Sequence, residues 1–167
     1  MVGKTVSETA VVVSQMMTPQ DVNLAGNVHG GVIMRLIDNV AAIVAVRHAK
    51  TNIVTASIDR LDFHSPIYAG NLVTFKASLN LVGRSSMEIG VRVETENLMT
   101  GEIRHTASAY LTFVALDKFG KPITIPPLIL KSEADKRRNS QAKDRRAVRL
   151  RERQVEASTK EYLPEKI

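Results

Sequence analysis

Residues 26–49 read Gly26-Asn27-Val28-His29-Gly30-Gly31-Val32-Ile33-Met34-Arg35-Leu36-Ile37-Asp38-Asn39-Val40-Ala41-Ala42-Ile43-Val44-Ala45-Val46-Arg47-His48-Ala49. From Val32 to Ala49 there is no Gly or Pro, and the composition predicts one long helix. Its apolar residues Val32, Ile33, Leu36, Ile37, Val40, Ala41, Ile43, Val44 and Val46 surround most of the circumference, the pattern of a helix buried inside a domain. The length also approaches that of a membrane span, but Arg35, Asp38 and Arg47 make insertion costly, so no membrane partner is expected.

Working outward, Thr5 to Met17 is β-rich and is stopped by the turn residues Thr18-Pro19-Gln20-Asp21, which predicts a first strand. After the helix the period changes to two over Ile53–Phe63, Leu72–Val82, Met87–Asn97 and Ile103–Leu116, predicting four more strands. Their short connections favour antiparallel neighbours. One helix cannot cover both faces of such a sheet. The expected class is therefore α+β, a curved antiparallel sheet wrapped around one buried helix, with the opposite face and edge left for a partner chain. Pro122, Pro126 and Pro127 exclude regular structure and end the domain, giving one domain over 1–130 and a tail over 131–167. Between Lys131 and Ser158 ten Lys/Arg face five Asp/Glu, so this helix-prone stretch holds most of the +6 net charge. Its apolar positions are too sparse for a core, which predicts a solvated or partly frayed helix, docked only where another subunit offers a surface. Because the rest of the chain is nearly neutral, nucleic acid is not an expected partner.

A 44% hydrophobic share in 167 residues suffices for a real core. The absence of cysteine rules out disulfides, thiolate zinc sites and a cysteine nucleophile. The first apolar run, Ala10–Val13, is too short for a signal-peptide core, and a cytoplasmic location is expected.

Asp38 is the residue with most chemical content, since a carboxylate in an apolar helix is expensive unless paired or functional. Either it pairs with Arg35 or another chain, or it acts as a general base or a nucleophile. The glycines before the helix make its N-terminal N–H groups approachable by a carbonyl oxygen, although a tight loop alone would also explain them. Gly31 and Asp38 stand about 10 Å apart along such a helix, too far to touch one carbonyl from a single chain. If both act at one site, Asp38 comes from a neighbouring subunit whose helix runs antiparallel. Asn23 can shape its loop or hydrogen-bond a water or carbonyl. His29 lacks a serine elbow to serve, and His48, His64 and His105 lack metal-ligand spacing, so no metal is expected. Gly83-Arg84-Ser85-Ser86 joins two strands and is either an ordinary polar hairpin or a phosphate contact.

Together these stretches resemble the hotdog-fold acyl-CoA thioesterases, the group of the cytosolic or brain-type acyl-CoA hydrolases and their small bacterial relatives. The resemblance is carried by Met17-Thr18-Pro19-Gln20-Asp21-Val22-Asn23-Leu24-Ala25-Gly26-Asn27-Val28-His29-Gly30-Gly31, Met34 to Asp38, Asp59-Arg60-Leu61-Asp62-Phe63, Val82 to Ser86, Thr112 to Leu116, and Ile125-Pro126, over roughly residues 8–128. It implies a hotdog fold and hydrolysis of acyl-CoA to coenzyme A and a carboxylic acid within fatty acid metabolism. Asp38 would be the catalytic carboxylate, Asn23 its polar partner and Gly31 the backbone donor. His29, Gly30, Gly83, Arg84, Ser85 and Ser86 would bind substrate. No cofactor is implied beyond the coenzyme A of the substrate, and the assembly would be a homo-oligomer, a hexamer built as a trimer of hotdog dimers. A hydratase on the same fold, kept open by His29, and a non-catalytic acyl-CoA-binding regulator are the alternatives.

Overall fold

The structure, a computed structural model, describes residues 1–59 and 61–160; Arg60 of the Asp59–Phe63 motif and the last seven residues of the tail lie outside the described residues. The chain opens with β1 (Lys4–Thr5), α1 (Val6–Thr9) and β2 (Val11–Met16), so the single strand expected over Thr5–Met17 is interrupted by a helical turn. A capping box causes it: the Thr5 N–H and Oγ1 both donate to the Glu8 carboxylate, at 2.6 and 2.7 Å. These bonds hold the Glu8 carboxyl below its ordinary value.

The central helix α2 spans Gly30–Ala49, with both glycines in its first turn and His29 as N-cap. Lys50, at φ 55, ends it in the left-handed region. The Lys4 ammonium donates to the carbonyls of Arg47 and His48 at 2.9 and 2.7 Å, placing a cation on the negative end of the helix. After α2 come β3 (Asn52–Ile58), β4 (Asp62–Phe63), β5 (Asn71–Val82), β6 (Ser86–Asn97) and β7 (Glu102–Leu116). The long strand expected over Ile53–Phe63 is thus two, β3 stopping at Ile58 after a register shift between Thr55 and Ser57. A short β8 (Leu128–Ile129), just past the prolines, pairs parallel with β1.

The main sheet runs β2-β5-β6-β7-β3, every pair antiparallel, with β4 also on β7. Alternate residues of β5, β6 and β7, among them Phe75, Leu79, Ile89, Leu111 and Phe113, pack on Ile33, Ile37, Val40, Ala41 and Val44 of α2. The period-two reading of these three strands is correct to within one residue at each end. The helix differs from expectation in one respect. Only one of its sides is buried in the chain; Ile43 and Val46 on the other side remain 41% and 45% exposed.

The tail also differs. The final helix, α3 (Glu133–Lys160), is docked through Asn139, Arg145 and Arg149 on this chain's own sheet, while residues 151–158 are exposed as expected. Ala142 is fully buried there, and the Asn139 side-chain amide donates to the Asn80 carbonyl at 2.8 Å. Glu88 of β6, 2% exposed, accepts from Arg145 at 2.6 Å and from Arg149 at 3.2 Å. Arg149 also pairs with Asp59, and the Arg145 guanidinium lies 3.6 Å above the Tyr110 ring. An apolar count could not foresee this docking, because buried ion pairs rather than apolar side chains make it. Part of the face assigned to a partner chain is therefore covered from within.

His48, fully buried in the last turn of α2, donates from Nε2 to the Pro126 carbonyl at 2.7 Å while Nδ1 has no partner. Burial holds its pKa below the ordinary value; the Pro126 bond opposes this and the Lys4 charge adds to it. The unfolded chain takes up a proton near pH 6.5 that the folded chain refuses, so this contribution to stability is intact above that pH and declines below it. Denaturation midpoints compared between pH 8 and 5.5 are expected to fall more in the wild type than in His48→Gln. Equal falls would remove His48 as the cause.

Candidate active site

The loop before α2 is built by Asn23. Its Oδ1 accepts from the N–H groups of Ala25 at 2.9 Å and Asn27 at 3.3 Å, and its N–H donates to the Asn27 carbonyl at 2.7 Å. Gly26, at φ 85, makes the reversal possible. The loop-shaping reading of Asn23 thus holds for its oxygen. Its amide nitrogen has no protein partner among the described residues, and Asn23 lines a cavity of about 410 Å³ together with Gly30, Ile33, Phe63, His64 and Ser65. Ser65 Oγ, buried and unpartnered, adds a second unused hydrogen-bonding group there.

At the helix start, the His29 Nδ1 accepts from the Gly31 N–H at 3.2 Å. That N–H is therefore capped, and a carbonyl oxygen can take it only once the imidazole turns aside. The same bond engages one ring nitrogen of His29, Nδ1. Eight residues beyond Gly30, Asp38 is half-buried and has no ion pair with Arg35 or any other described residue, so pairing within the chain does not account for it. Its Oδ1 accepts from Thr55 Oγ1 of β3 at 2.8 Å, which fixes the carboxylate and leaves the other oxygen for chemistry. Thr55 went unnoticed in the sequence; a hydroxyl on an exposed strand position looks ordinary until the strand is placed against α2.

The single chain gathers Asn23 and Gly30 around one cavity and leaves Asp38 outside it. The turn Gly83–Ser86 lies elsewhere, at the β5–β6 hairpin, closed by the Gly83 N–H donating to the Ser86 carbonyl at 2.7 Å. Backbone bonds from Ala115 to the Ser85 carbonyl and from Ile125 to the Arg84 carbonyl hold it rigid. Among the described residues no group of three or more His, Cys, Asp or Glu could hold a metal ion, and no helix is long and apolar enough to cross a membrane.

A curved antiparallel sheet around one central helix, with a glycine loop feeding that helix, is the hotdog arrangement. The family description "Thioesterase superfamily" matches residues 25–102. The cytosolic acyl coenzyme A thioester hydrolase of Rattus norvegicus is 41% identical over 143 residues, 84% of this chain; the chain spans only 38% of that protein's length. An acyl-CoA hydrolase from Staphylococcus aureus, solved with butyryl coenzyme A, coenzyme A and coenzyme A disulfide, superposes with a TM-score of 0.88 at 35% identity, over 95% of this chain and 97% of that one. A hexameric acyl-CoA thioesterase, solved in the apo state, gives a TM-score of 0.87 at 35% identity, over 91% and 97%. The chain belongs to the hotdog-fold acyl-CoA thioesterase family.

Proposed function

We propose that this protein hydrolyses acyl-CoA thioesters to coenzyme A and a carboxylic acid, with Asp38 as the reacting carboxylate. The observation that carries the proposal is the unpaired Asp38, oriented through one oxygen by Thr55 and free at the other. As a general base that oxygen takes a proton from water, whose oxygen attacks the thioester carbonyl carbon. The carbon–sulfur bond then breaks, and the proton passes to the leaving thiolate. As a nucleophile the same oxygen attacks the carbonyl and expels the thiolate, and water then cleaves the anhydride. In both routes developing charge on the carbonyl oxygen would be met by the Gly31 N–H and the Asn23 amide.

Support for these roles comes from the Staphylococcus aureus hydrolase, which was also solved as separate alanine variants of an asparagine, an aspartate and a threonine. Those three residues are spaced as Asn23, Asp38 and Thr55 are spaced here. Thr55→Val is therefore expected to slow hydrolysis about ten-fold, the scale of one lost hydrogen bond to a charged group, while leaving the fold intact. Turnover within two-fold of wild type would remove Thr55 from the site.

The site is completed, in this reading, by a second copy of the chain. The exposed Ile43 and Val46, neighbours on one side of α2, give it an apolar stretch that an antiparallel α2 from a partner would cover, bringing its Asp38 to the cavity that holds Asn23. A hexamer formed as a trimer of such dimers fits the hexameric relative. A cytoplasmic location follows the cytosolic rat relative. The direct test of activity is thiol release from acyl-CoA substrates of increasing acyl length; no release from any of them would reject the function.

A further inference from the structure

We propose that the cavity beside the Asn23 loop selects acyl groups bearing a neutral oxygen, as a hydroxyl or a keto group, on the second or third carbon of the acyl chain. Ser65 is the residue that makes the selection. The proposal rests on the acyl-CoA reading for the thioester itself and names the kind of acyl group that the site takes.

One wall of this cavity is the segment 64–67, and it is held from both ends. The His64 N–H donates to the Thr106 carbonyl of β7 at 2.8 Å, and the Ile67 carbonyl accepts from the Val28 N–H at 2.7 Å. Pro66 restricts the backbone of Ser65 before it. A side chain on so short and fixed a segment is in place before a ligand arrives, which lowers the cost of binding.

Ser65 lines the cavity, and its Oγ is buried with no hydrogen-bond partner. An unpaired buried hydroxyl costs free energy that a matching group on a ligand returns. Hydrolysis as described needs Asp38, Asn23 and the Gly31 N–H, and gives Ser65 no part. Because Ser65 shares its cavity with Asn23, whose amide meets the thioester carbonyl, its hydroxyl suits a second oxygen close to that carbonyl. It can donate to a keto oxygen, and it can donate to or accept from a hydroxyl.

The remaining lining restricts the choice further. No lysine, arginine, aspartate or glutamate lines the cavity. An acyl group ending in a carboxylate would lose its hydration there without a lysine or arginine to receive it. Val28, Ile33, Phe63 and Ile67 supply apolar surface for the hydrocarbon part. A neutral oxygen next to a carbon chain fits both.

Thiol release by the full-length protein from butyryl-CoA, 2-hydroxybutyryl-CoA, 3-hydroxybutyryl-CoA and succinyl-CoA, all four-carbon acyl groups, tests the selection. For one of the hydroxy substrates kcat/KM is expected to exceed that for butyryl-CoA by about ten-fold or more, and succinyl-CoA should rank below butyryl-CoA. An oxygen substituent also alters the intrinsic reactivity of the thioester, so the decisive quantity is the hydroxy-to-butyryl ratio compared between variants. That ratio should fall about ten-fold in Ser65→Ala and be largely recovered in Ser65→Thr, which keeps the hydroxyl. A wild-type ratio near one, a ratio that Ser65→Ala leaves unchanged, or a preference for succinyl-CoA would overturn the proposal. A ratio near one is also the result expected if a second copy of the chain satisfies the Ser65 hydroxyl. Thioether analogues of the same compounds bind without being hydrolysed, and calorimetric titration with them repeats the comparison independently of turnover. A Ser65-dependent preference in binding without thiol release would defeat the hydrolase reading alone; thiol release without that preference would defeat the selection alone.

Discussion

Asp38→Asn is expected to lower acyl-CoA hydrolysis by about 10²- to 10⁴-fold, the usual contribution of a positioned base, with coenzyme A binding retained. The change keeps the shape of the side chain and the acceptor oxygen that Thr55 Oγ1 reaches at 2.8 Å, and removes only basicity and charge. A folding defect is therefore not the expected cause of the loss. Unchanged melting and oligomer size beside the lost turnover would assign the effect to chemistry. Wild-type-like thiol release would remove Asp38 from the mechanism under either route, general base or nucleophile.

The second large effect concerns the docking of α3. Removing both guanidiniums with Arg145→Ala/Arg149→Ala leaves the Glu88 carboxylate, 2% exposed, without its cationic partners. An uncompensated buried charge of this kind costs about 3–5 kcal/mol. The double variant should unfold at markedly lower urea concentration, and amide exchange should accelerate along α3. Adding Glu88→Leu to the double variant should recover much of the loss, because a buried ion pair exchanged for apolar groups is often close to neutral. Stability unaffected by the double replacement would show that α3 does not depend on this network.

How much of this was legible in the sequence depends on which interaction builds each element. The core strands β5, β6 and β7 were readable because one side of each is buried and period two records it directly. So was α2, whose run from Val32 to Ala49 admits no other element. The turn at Val6–Thr9 was written in Thr5-Val6-Ser7-Glu8, a capping signature that the surrounding valines outweighed. The end of β3 at Ile58 depends on a register shift against β7, which no local pattern encodes. The docking of α3 was hidden for a different reason: Arg145 and Arg149 look like solvated charges until Glu88, far away in sequence, is placed beneath them.

The candidate site shows the same division. Asp38 stood out as a charge in an apolar helix, and the seven-residue step from Gly31 already separated the two within one chain. Thr55 could not be seen, because its importance lies only in the 2.8 Å contact across from β3 to α2. Likewise the capping of Gly31 by His29 became visible only in three dimensions.

A hydrolytic site made from Asn23 of one copy and Asp38 of another makes a specific prediction for mixed assemblies. Asn23→Ala and Asp38→Asn chains, each inactive alone, are co-assembled by refolding together, and thiol release from acyl-CoA is measured. Random pairing in a two-fold dimer places both native residues in about a quarter of the sites, so activity should return to about a quarter of wild type. Co-assembled oligomers with no activity above the single variants would contradict the shared site.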